Sequence, residues 1–256
     1  MKLCGMTDVG RVRRDNQDSY AFRQLTDDTA VLVVCDGMGG AQSGSVASAV
    51  AVESFSAAVE ELCAGGMPRE SEGRELILIR AANAANRRVY DMAQQNIECQ
   101  GMGTTLVGAL LLPGEAYIAN VGDSRCYLLR DGGARQLTTD HSYVQVLVNR
   151  GEITPEEARR HPRRNVITRA VGVDSEVGCD MLRLDTRPGD RLLLCSDGLT
   201  NVLDDAELAA LSAAEADPER CARALLEMTL ERGAPDNVTV VLAEIGRGGF
   251  TLWINT

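Results

Sequence analysis

The chain has 256 residues, which is enough for one large domain or two small ones around a substantial core. It carries 37 acidic and 26 basic residues, for a formal net charge of −11 and an isoelectric point near 4.8. Nucleic acids and anionic membranes attract clustered Lys and Arg, so we expect neither as a partner. The excess of carboxylates leaves ligands available for hard cations.

The first half of the chain alternates apolar runs with two long helical patterns. The apolar runs predict strands at 18–24, 30–35, 104–112 and 116–120. Residues 43–63 and 70–95 are rich in Ala, Leu, Glu and Arg, and their apolar residues recur at the spacing of a helix.

The second half continues with strands predicted at 126–130, 191–195 and 238–244. Helices are predicted to follow Thr154, Asp204 and Asp217, which are residue types that cap a helix N-terminus. The arginine-rich stretch 141–172 is interpreted as a surface subdomain over one edge of the core. Because helix pairs separate hairpin-joined strands, this order predicts an α+β fold rather than a parallel sheet.

Eight cysteines are scattered along the chain, several of them inside apolar runs and none in a Cys-x-x-Cys pair. This distribution is typical of small apolar side chains in a reducing compartment, rather than of a disulfide framework or a zinc site. The N-terminus lacks the apolar run of a signal peptide, and no run is long enough to cross a bilayer. These features predict a cytoplasmic protein.

Two apolar strands lead into the same Asp-Gly pair. One is followed by Asp36 and Gly37, and the other by Asp197 and Gly198. A buried carboxylate is protonated, paired or bound to a metal, and glycine lets the backbone approach a partner closely. The alternative for any one of these aspartates is a turn or cap residue.

Three further aspartates, Asp18, Asp123 and Asp236, also lie at predicted strand ends. Carboxylates that converge on one rim of a sheet repel each other unless cations lie between them. Ligand sets made only of oxygen select Mg²⁺ or Mn²⁺ over zinc. The five aspartates therefore predict a divalent-metal site.

The glycine-rich segment 37–40 raises the alternative of a nucleotide site. No Gly-x-Gly-x-x-Gly pattern occurs, and no Gly-Lys-Ser/Thr follows the segment. The spacing therefore excludes both the dinucleotide fingerprint and the P-loop.

Six short motifs occur in the order in which they stand in one enzyme family, at 7–18, 36–40, 101–105, 122–125, 196–199 and 236–237. Together they resemble the metal-dependent serine/threonine protein phosphatases, the type 2C or PPM family, in its compact bacterial branch. The resemblance covers about residues 1–245 and implies a four-layer α-β-β-α sandwich of two antiparallel sheets flanked by helix pairs. It also implies a flap insert at about 141–172, and residues 246–256 would be a short C-terminal tail on this single domain.

The resemblance implies ligands for two Mn²⁺ or Mg²⁺ ions. Asp36 would bridge the ions, and the Gly37 carbonyl would be a further ligand. Asp197 and Asp236 would complete the shell of the second ion, and Asp18 would act mostly through water. Two such ions would activate a water as the nucleophile and offset the charge that develops on phosphorus.

Arg13 and Asp123 receive further roles from the resemblance. Arg13 would bind the phosphate oxygens through its planar guanidinium, and the alternative is a solvated charge in a basic run with Arg11 and Arg14. Asp123 would join Asp197 at a third, weaker ion site under the flap. The alternative for Asp123 is a structural turn residue.

The sequence departs from the family pattern beside these motifs. Gln17 stands where many relatives have Glu. Met38 stands where the animal enzymes carry a histidine proposed as general acid, and Ala41 where many bacterial relatives have a histidine. His141 and His161 lie in the flap stretch and are interpreted as structural. The sequence therefore leaves the proton donor for the leaving alcohol open, and a water held by a metal ion could serve.

The function implied by the resemblance is hydrolysis of phosphoserine and phosphothreonine on proteins, opposing a bacterial eukaryotic-like serine/threonine kinase. The protein is expected to act as a monomer. The alternative is a non-catalytic member of the same fold that binds phosphoproteins or signals through its flap. Retention of the metal-ligand aspartates argues against that alternative, since a pure binder has no need of them.

Overall fold

The computed structural model of the chain describes residues 1–40 and 43–246, and the backbone of residues 251 and 252. Its strands form two sheets. Sheet I contains, from edge to edge, β12 (Thr251–Leu252), β1 (Lys2–Asp8), β11 (Val238–Glu244), β10 (Arg191–Cys195), β7 (Arg125–Arg130) and β8 (Gly133–Gln136). Sheet II contains β2 (Asp18–Thr26), β3 (Thr29–Met38), β5 (Leu106–Leu112), β6 (Glu115–Val121) and β9 (Asp180–Asp185), and β4 (Gly103–Thr104) pairs with the end of β3.

Neighbouring strands are antiparallel throughout the described sheets, apart from the parallel pair β1 and β12. The helices are α1 (Ser43–Cys63), α2 (Ser71–Gln95), α3 (Tyr143–Asn149), α4 (Pro155–Arg160), α5 (Asp197–Thr200), α6 (Asp205–Ala214) and α7 (Pro218–Glu231). The pair α1 and α2 packs on sheet II, and α6 and α7 pack on sheet I. This arrangement confirms the predicted α+β sandwich of four layers.

Strand β3 shows how one strand serves two apolar layers. Val31 and Val33 pack toward α1 and α2, whereas Leu32 and Val34 belong to the core between the sheets. Successive side chains of a strand point to opposite faces, so a strand buried on both faces reads as an unbroken apolar run. The prediction that this run is a doubly buried strand is confirmed.

The flap, which we define as residues 141–172, contains α3 and α4, and these two helices lie outside the apolar layers. Neither helix has a buried residue. Thr154 caps α4 with a full capping box: its Oγ1 accepts from the Glu157 amide, and its own amide donates to the Glu157 carboxylate. The two ends of the flap meet in an isolated bridge between Ser142 and Ile167.

Most predicted elements match the structure closely. Helix α1 and strands β10 and β11 have the predicted bounds, and α2 begins one residue later than predicted. The run at 104–112 is divided between β4 and β5. The helix starts predicted after Thr154, Asp204 and Asp217 are confirmed, each with its side chain capping the helix.

Four strands were not predicted, namely β1, β8, β9 and the two-residue β12. Strand β9 is an edge strand in which exposed polar residues predominate, so it lacks the apolar alternation that signals a strand. Strand β1 contains Gly5 and is defined by its pairing with β11, whose residues lie 230 or more positions further along the chain. The predicted tail at 246–256 lies largely outside the described residues, although the backbone of Thr251–Leu252 pairs with β1.

The structure also shows the state of the cysteines and the character of the helices. All eight cysteines are free, and six of them are more than nine-tenths buried in the apolar layers. Within residues 1–40 and 43–246, no helix combines the length and the apolar character needed to cross a membrane.

Candidate metal centre

Asp36 lies near the end of β3, where two threonines anchor its backbone. Its amide donates to Thr105 Oγ1 at 2.9 Å, and its carbonyl accepts from the Thr105 amide at 2.8 Å and from Thr104 Oγ1 at 2.9 Å. The backbone of Asp36 is thus satisfied by protein groups, and the residue lines a cavity of about 270 Å³. The anchoring fixes the point from which the carboxylate acts.

Sheet I contributes two carboxylates to the same cavity. Asp197 follows β10 and begins α5, where its Oδ2 accepts a hydrogen bond from Asn201 Nδ2 at 2.9 Å. Its Oδ1 is buried without a hydrogen-bond partner among the described residues. Asp236 lies two residues before β11 and also lines the cavity.

Asp18 joins the two sheets at the base of the centre. It lies opposite Asp36 in the antiparallel pair of β2 and β3. Its Oδ2 accepts hydrogen bonds from Ser196 Oγ and Thr239 Oγ1, both of which belong to the sheet I side, at 2.7 Å each. Its Oδ1 is buried without a partner in the described part of the chain.

The cavity brings together six of the seven residues predicted for the site, which are Arg13, Asp36, Gly37, Asp123, Asp197 and Asp236. The seventh, Asp18, is the neighbour of Asp36 on the adjacent strand. A second cavity, of about 410 Å³, shares Asp123 and Asp197 and extends under α3 and α4. Asp123 therefore lies where the metal centre meets the space beneath the flap.

Burial raises the pKa values of four carboxyl groups in this centre. The pKa rises to about 7 for Asp18 and to about 8 for Asp123. The pKa values of Asp36 and Asp197 also lie above the usual range for aspartate. Desolvation is the largest cause in each case, and neighbouring carboxylates add to it because each negative charge makes the next ionisation more costly. A positive charge placed among these groups would favour their ionised forms and so lower these pKa values.

The donor set fits a hard divalent cation. The candidate ligands are all oxygens, and the unpaired buried Oδ1 atoms of Asp18 and Asp197 are costly unless a cation or a water meets them. Within the described parts of the chain, no three His, Cys, Asp or Glu side chains are already gathered as a metal cage. We therefore expect the carboxylates to turn when an ion binds.

The two Asp-Gly pairs owe their glycines to close backbone contacts. A Cβ atom on Gly37 would lie 2.0 Å from the Gly44 carbonyl oxygen, and one on Gly198 would lie 1.9 Å from the Asn237 carbonyl oxygen. Real side chains do not approach that closely, so each position requires the absence of a side chain. Both glycines allow a neighbouring segment to pack directly behind a candidate ligand.

Asn237 is a site residue to which the sequence analysis gave no role. Its Oδ1 accepts from the Gln17 amide at 2.8 Å, and its Nδ2 donates to the Val9 and Asp15 carbonyls at 2.9 and 3.0 Å. One buried amide thus holds the loop that carries Arg13 against Asp236. The signal available in the sequence was an amide side chain directly after Asp236. Its hydrogen-bond partners lie more than 200 residues away along the chain, so the sequence did not indicate its role.

Arg13 contacts Asp236 directly, with Nη2 2.8 Å from Oδ2. This hydrogen bond is the largest cause of the raised pKa of Arg13. The guanidinium side chain is 53% exposed, so it is accessible to a ligand that enters the cavity. The predicted phosphate ligand and one predicted metal ligand are therefore paired with each other.

The departures from the family pattern lie around this centre. Gln17 and Met38 line the cavity, whereas Ala41 lies outside the described residues. His141 Nδ1 accepts from the Gly122 amide, and His161 Nδ1 accepts from the Arg163 amide. The ring of each histidine therefore accepts a hydrogen bond from a backbone amide.

A sequence profile described as Protein phosphatase 2C matches residues 11–239. The chain belongs to the protein phosphatase 2C family. The serine/threonine phosphatase stp of Listeria innocua is 39% identical over 238 residues, which cover 93% of this chain and 93% of that protein.

Solved structures of the same family superpose on the phosphatase. The serine/threonine phosphatase Stp1 from Staphylococcus aureus gives a TM-score of 0.88 at 38% identity, covering 95% of this chain and 94% of that one. The catalytic domain of the serine/threonine protein phosphatase PstP, solved with two manganese ions, gives a TM-score of 0.82 at 35% identity, covering 95% and 97%. The predicted family, fold and enzyme class are confirmed, and the metal dependence of the family applies to this chain.

Proposed function

We propose that this phosphatase hydrolyses phosphoserine and phosphothreonine on proteins with the help of two divalent ions. The observation that carries the proposal is the convergence of Asp18, Asp36, Asp197 and Asp236 on one end of the sandwich beside Arg13. Relatives that cover nearly the whole chain are named serine/threonine phosphatases. Buried carboxylates with raised pKa values are characteristic of sites built for a cation or for proton transfer.

Asp36, the Gly37 carbonyl, Asp197 and Asp236 would hold the two ions, with Asp36 shared by both, and Asp18 would act through water. Oxygen ligands of this kind suit Mn²⁺ or Mg²⁺. When bound, such ions supply Lewis acidity that activates a water and offsets charge on the phosphoryl group. Thr104 and Thr105 hold Asp36 in place for this role, and Asn201 does the same for Asp197.

Arg13 is proposed to bind the phosphate of the substrate. Its guanidinium can present two parallel N–H groups to phosphate oxygens, which a lysine could not reproduce. In the structure it is paired with Asp236, and Asn237 fixes the loop behind it. A phosphate group would therefore bind a guanidinium that is already held at the edge of the cavity.

Asp123 is proposed to serve a third, weaker ion together with Asp197. Its position at the junction of the two cavities supports this, as does the raised pKa of its carboxyl group, to about 8. Fewer protein ligands and more water should make this site the weakest of the three.

The proposed setting is that of a monomeric cytoplasmic enzyme acting on phosphorylated proteins and opposing a cognate serine/threonine kinase. Residues 1–245 would be one catalytic domain, with the flap beside the active site and a short tail after it. The cavity beneath α3 and α4 supports a flap that adjoins the substrate. The alternative of a non-catalytic phosphoprotein binder has no support from the relatives, which are named as phosphatases.

Phosphate release from a phosphothreonine peptide in Mn²⁺ tests the proposal. Asp36→Asn should lower kcat by at least about 100-fold, because it removes the charge that the two ions share. Asp27→Asn is the matched control, since Asp27 lies in the hairpin turn at the opposite end of β3. Equal activity of the two variants would reject the assignment, and stable peptide binding without turnover by the wild type would favour the non-catalytic alternative.

A further inference from the structure

His141 holds a single glycine through both of its backbone groups. The ring nitrogen Nδ1 accepts a hydrogen bond from the Gly122 amide at 3.0 Å, and the His141 amide donates to the Gly122 carbonyl at 2.9 Å. His141 is buried, with 8% of its surface exposed. Gly122 has a φ of +107° and is followed directly by Asp123. The histidine thus fixes the turn that delivers Asp123.

This contact determines the tautomer of the His141 ring. A ring nitrogen that accepts a hydrogen bond carries no proton, so the neutral imidazole is protonated at Nε2. Nε2 lies 3.0 Å from Arg169 Nη1 and 3.2 Å from Asp180 Oδ2, and of these two neighbours only the carboxylate can accept its N–H. Arg169 Nη1 donates to the other oxygen of Asp180 at 2.6 Å. A carboxylate behind a histidine fixes the orientation of the ring.

His141 also stands at the base of the flap. Its carbonyl accepts from the Thr168 amide at 2.8 Å, the next residue forms a bridge to Ile167, and the Tyr143 amide donates to the Val166 carbonyl at 2.7 Å. Ile167 lines the cavity of the metal centre. One residue therefore joins the two ends of the flap to the turn before Asp123.

We propose that His141 is a positioning residue that holds Asp123 at a fixed position relative to the base of the flap. It touches neither substrate nor metal ligand side chains and acts through the backbone of Gly122. The inference rests on the proposed function in one respect, because Asp123 matters for turnover only if it helps to bind a cation. The competing explanation is that His141 contributes packing and stability alone.

Two substitutions separate the contacts of the ring. His141→Asn places an amide oxygen near the position of Nδ1, so it keeps an acceptor for the Gly122 amide. His141→Gln reaches toward the position of Nε2, so it keeps the contact with Asp180 and loses the one with Gly122. His161→Gln is the matched control, because His161 Nδ1 also accepts a backbone amide in the flap, that of Arg163 at 3.1 Å.

Three measurements on the full chain report on the inference. In metal-free protein, hydrogen exchange of the Gly122 amide should become at least about tenfold faster in His141→Gln and stay near the wild-type rate in His141→Asn. Calorimetric titration with Mn²⁺ should show the weakest site weakened by about 10- to 100-fold in His141→Gln only. With p-nitrophenyl phosphate, kcat should fall in that variant while KM changes little. The His161→Gln control should match the wild type in all three.

The inference is overturned if His141→Gln and His161→Gln give the same Gly122 exchange and the same Mn²⁺ titration, whatever their melting temperatures. If His141→Gln does not fold, Asp180→Asn takes its place, because the Asp180 side chain is 56% exposed and its carboxylate orients the ring. That variant should speed Gly122 exchange and weaken the same Mn²⁺ site, and wild-type behaviour in both would overturn the inference.

Failure of the proposed third ion site is detected separately with Asp123→Asn. If that variant titrates with Mn²⁺ like the wild type, Asp123 is not a cation ligand. Gly122 exchange in the two His141 variants then decides alone whether His141 holds the turn.

Discussion

The guanidinium of Arg13 can pair with either of two anionic groups, the Asp236 carboxylate or the phosphate of a substrate. In the structure Nη2 contacts Asp236 at 2.8 Å, and Asp36 and Asp197 lie close enough to contribute to its raised pKa. A phosphate monoester that enters the cavity would meet the same group. Arg13 is thus held at the mouth of the centre before any substrate arrives.

Replacement of Arg13 by alanine should weaken phosphate recognition. We expect kcat/KM for a phosphothreonine peptide to fall by at least about tenfold, from the loss of roughly 1.5–3 kcal/mol of charge-assisted hydrogen bonding. Arg14→Ala is the control, because Arg14 is an exposed neighbour that does not line the cavity. Equal losses in steady-state kinetics of the two variants would show that the wrong arginine had been assigned.

The site residues that the sequence did not reveal are neutral ones. The aspartates could be predicted, because a carboxylate at the end of a buried strand is unusual wherever it occurs. The roles of Asn237, Ser196 and Thr239 depend on partners that reach them from the other end of the chain. No local pattern carries that information, so these contacts required the folded structure.

At the scale of secondary structure, the ends of β3 and β10 determine where the centre lies. Each strand runs between two apolar layers and then leads to an aspartate and a glycine. The glycine admits a backbone carbonyl from a different segment, that of Gly44 behind Gly37 and that of Asn237 behind Gly198. Each strand end therefore packs directly against a neighbouring segment at the point where the carboxylates meet.

Gly37→Ala should distort this junction. The added methyl group would lie 2.0 Å from the Gly44 carbonyl and 2.8 Å from that of Gln17, so α1 or the Arg13 loop must shift. We expect a loss of about 1–3 kcal/mol of stability and a fall in kcat, from thermal melting and phosphopeptide assays. Gly65→Ala is the control, because a Cβ there meets nothing within 4 Å. Wild-type melting and turnover of Gly37→Ala would refute the close-packing argument.

The accuracy of the predicted elements depended on how deeply each is buried. Strands β10 and β11 and helix α1 combine long apolar patterns with clear boundaries, and their ends were predicted correctly. Strands β8 and β9 lie at sheet edges and expose many of their residues, so cross-strand pairing rather than apolar pattern defines them. Sequence periodicity therefore missed these two edge strands, whereas the inner strand β1 was missed because its pairing with β11 is so distant along the chain.

For the molecule as a whole, the acidic centre makes stability depend on pH. The native pKa values of Asp18 and Asp123, about 7 and about 8, exceed the ordinary value of 3.8, and those of Asp36 and Asp197 are raised as well. Between pH 3.8 and these raised pKa values, the native state binds more protons than the unfolded state. Stability without metal is therefore greatest at low pH in this range and is lost as the pH rises through 7 and 8.

Melting temperatures in EDTA should follow this sign. We expect the metal-free protein to melt at least about 3 °C higher near pH 5.5 than near pH 8.5. Saturating Mn²⁺ should reduce the difference, because bound cations offset the repulsion between carboxylates. The pKa of Glu207 is lowered to about 2, chiefly by its hydrogen bond with Arg232. The contribution of this group to stability is therefore lost only at a pH below the range of this comparison. A metal-free protein that melts higher near pH 8.5 would contradict the assignment of the raised pKa values.

The carboxylates, the arginine and the cavity form one site, and the activity of this site requires a divalent cation. The most direct test is phosphate release from a phosphothreonine peptide by protein stripped with EDTA, freed of chelator and then titrated with Mn²⁺. The stripped phosphatase should release no phosphate above background, and activity should rise with added Mn²⁺ to a plateau. Undiminished turnover by the metal-free protein would contradict the account.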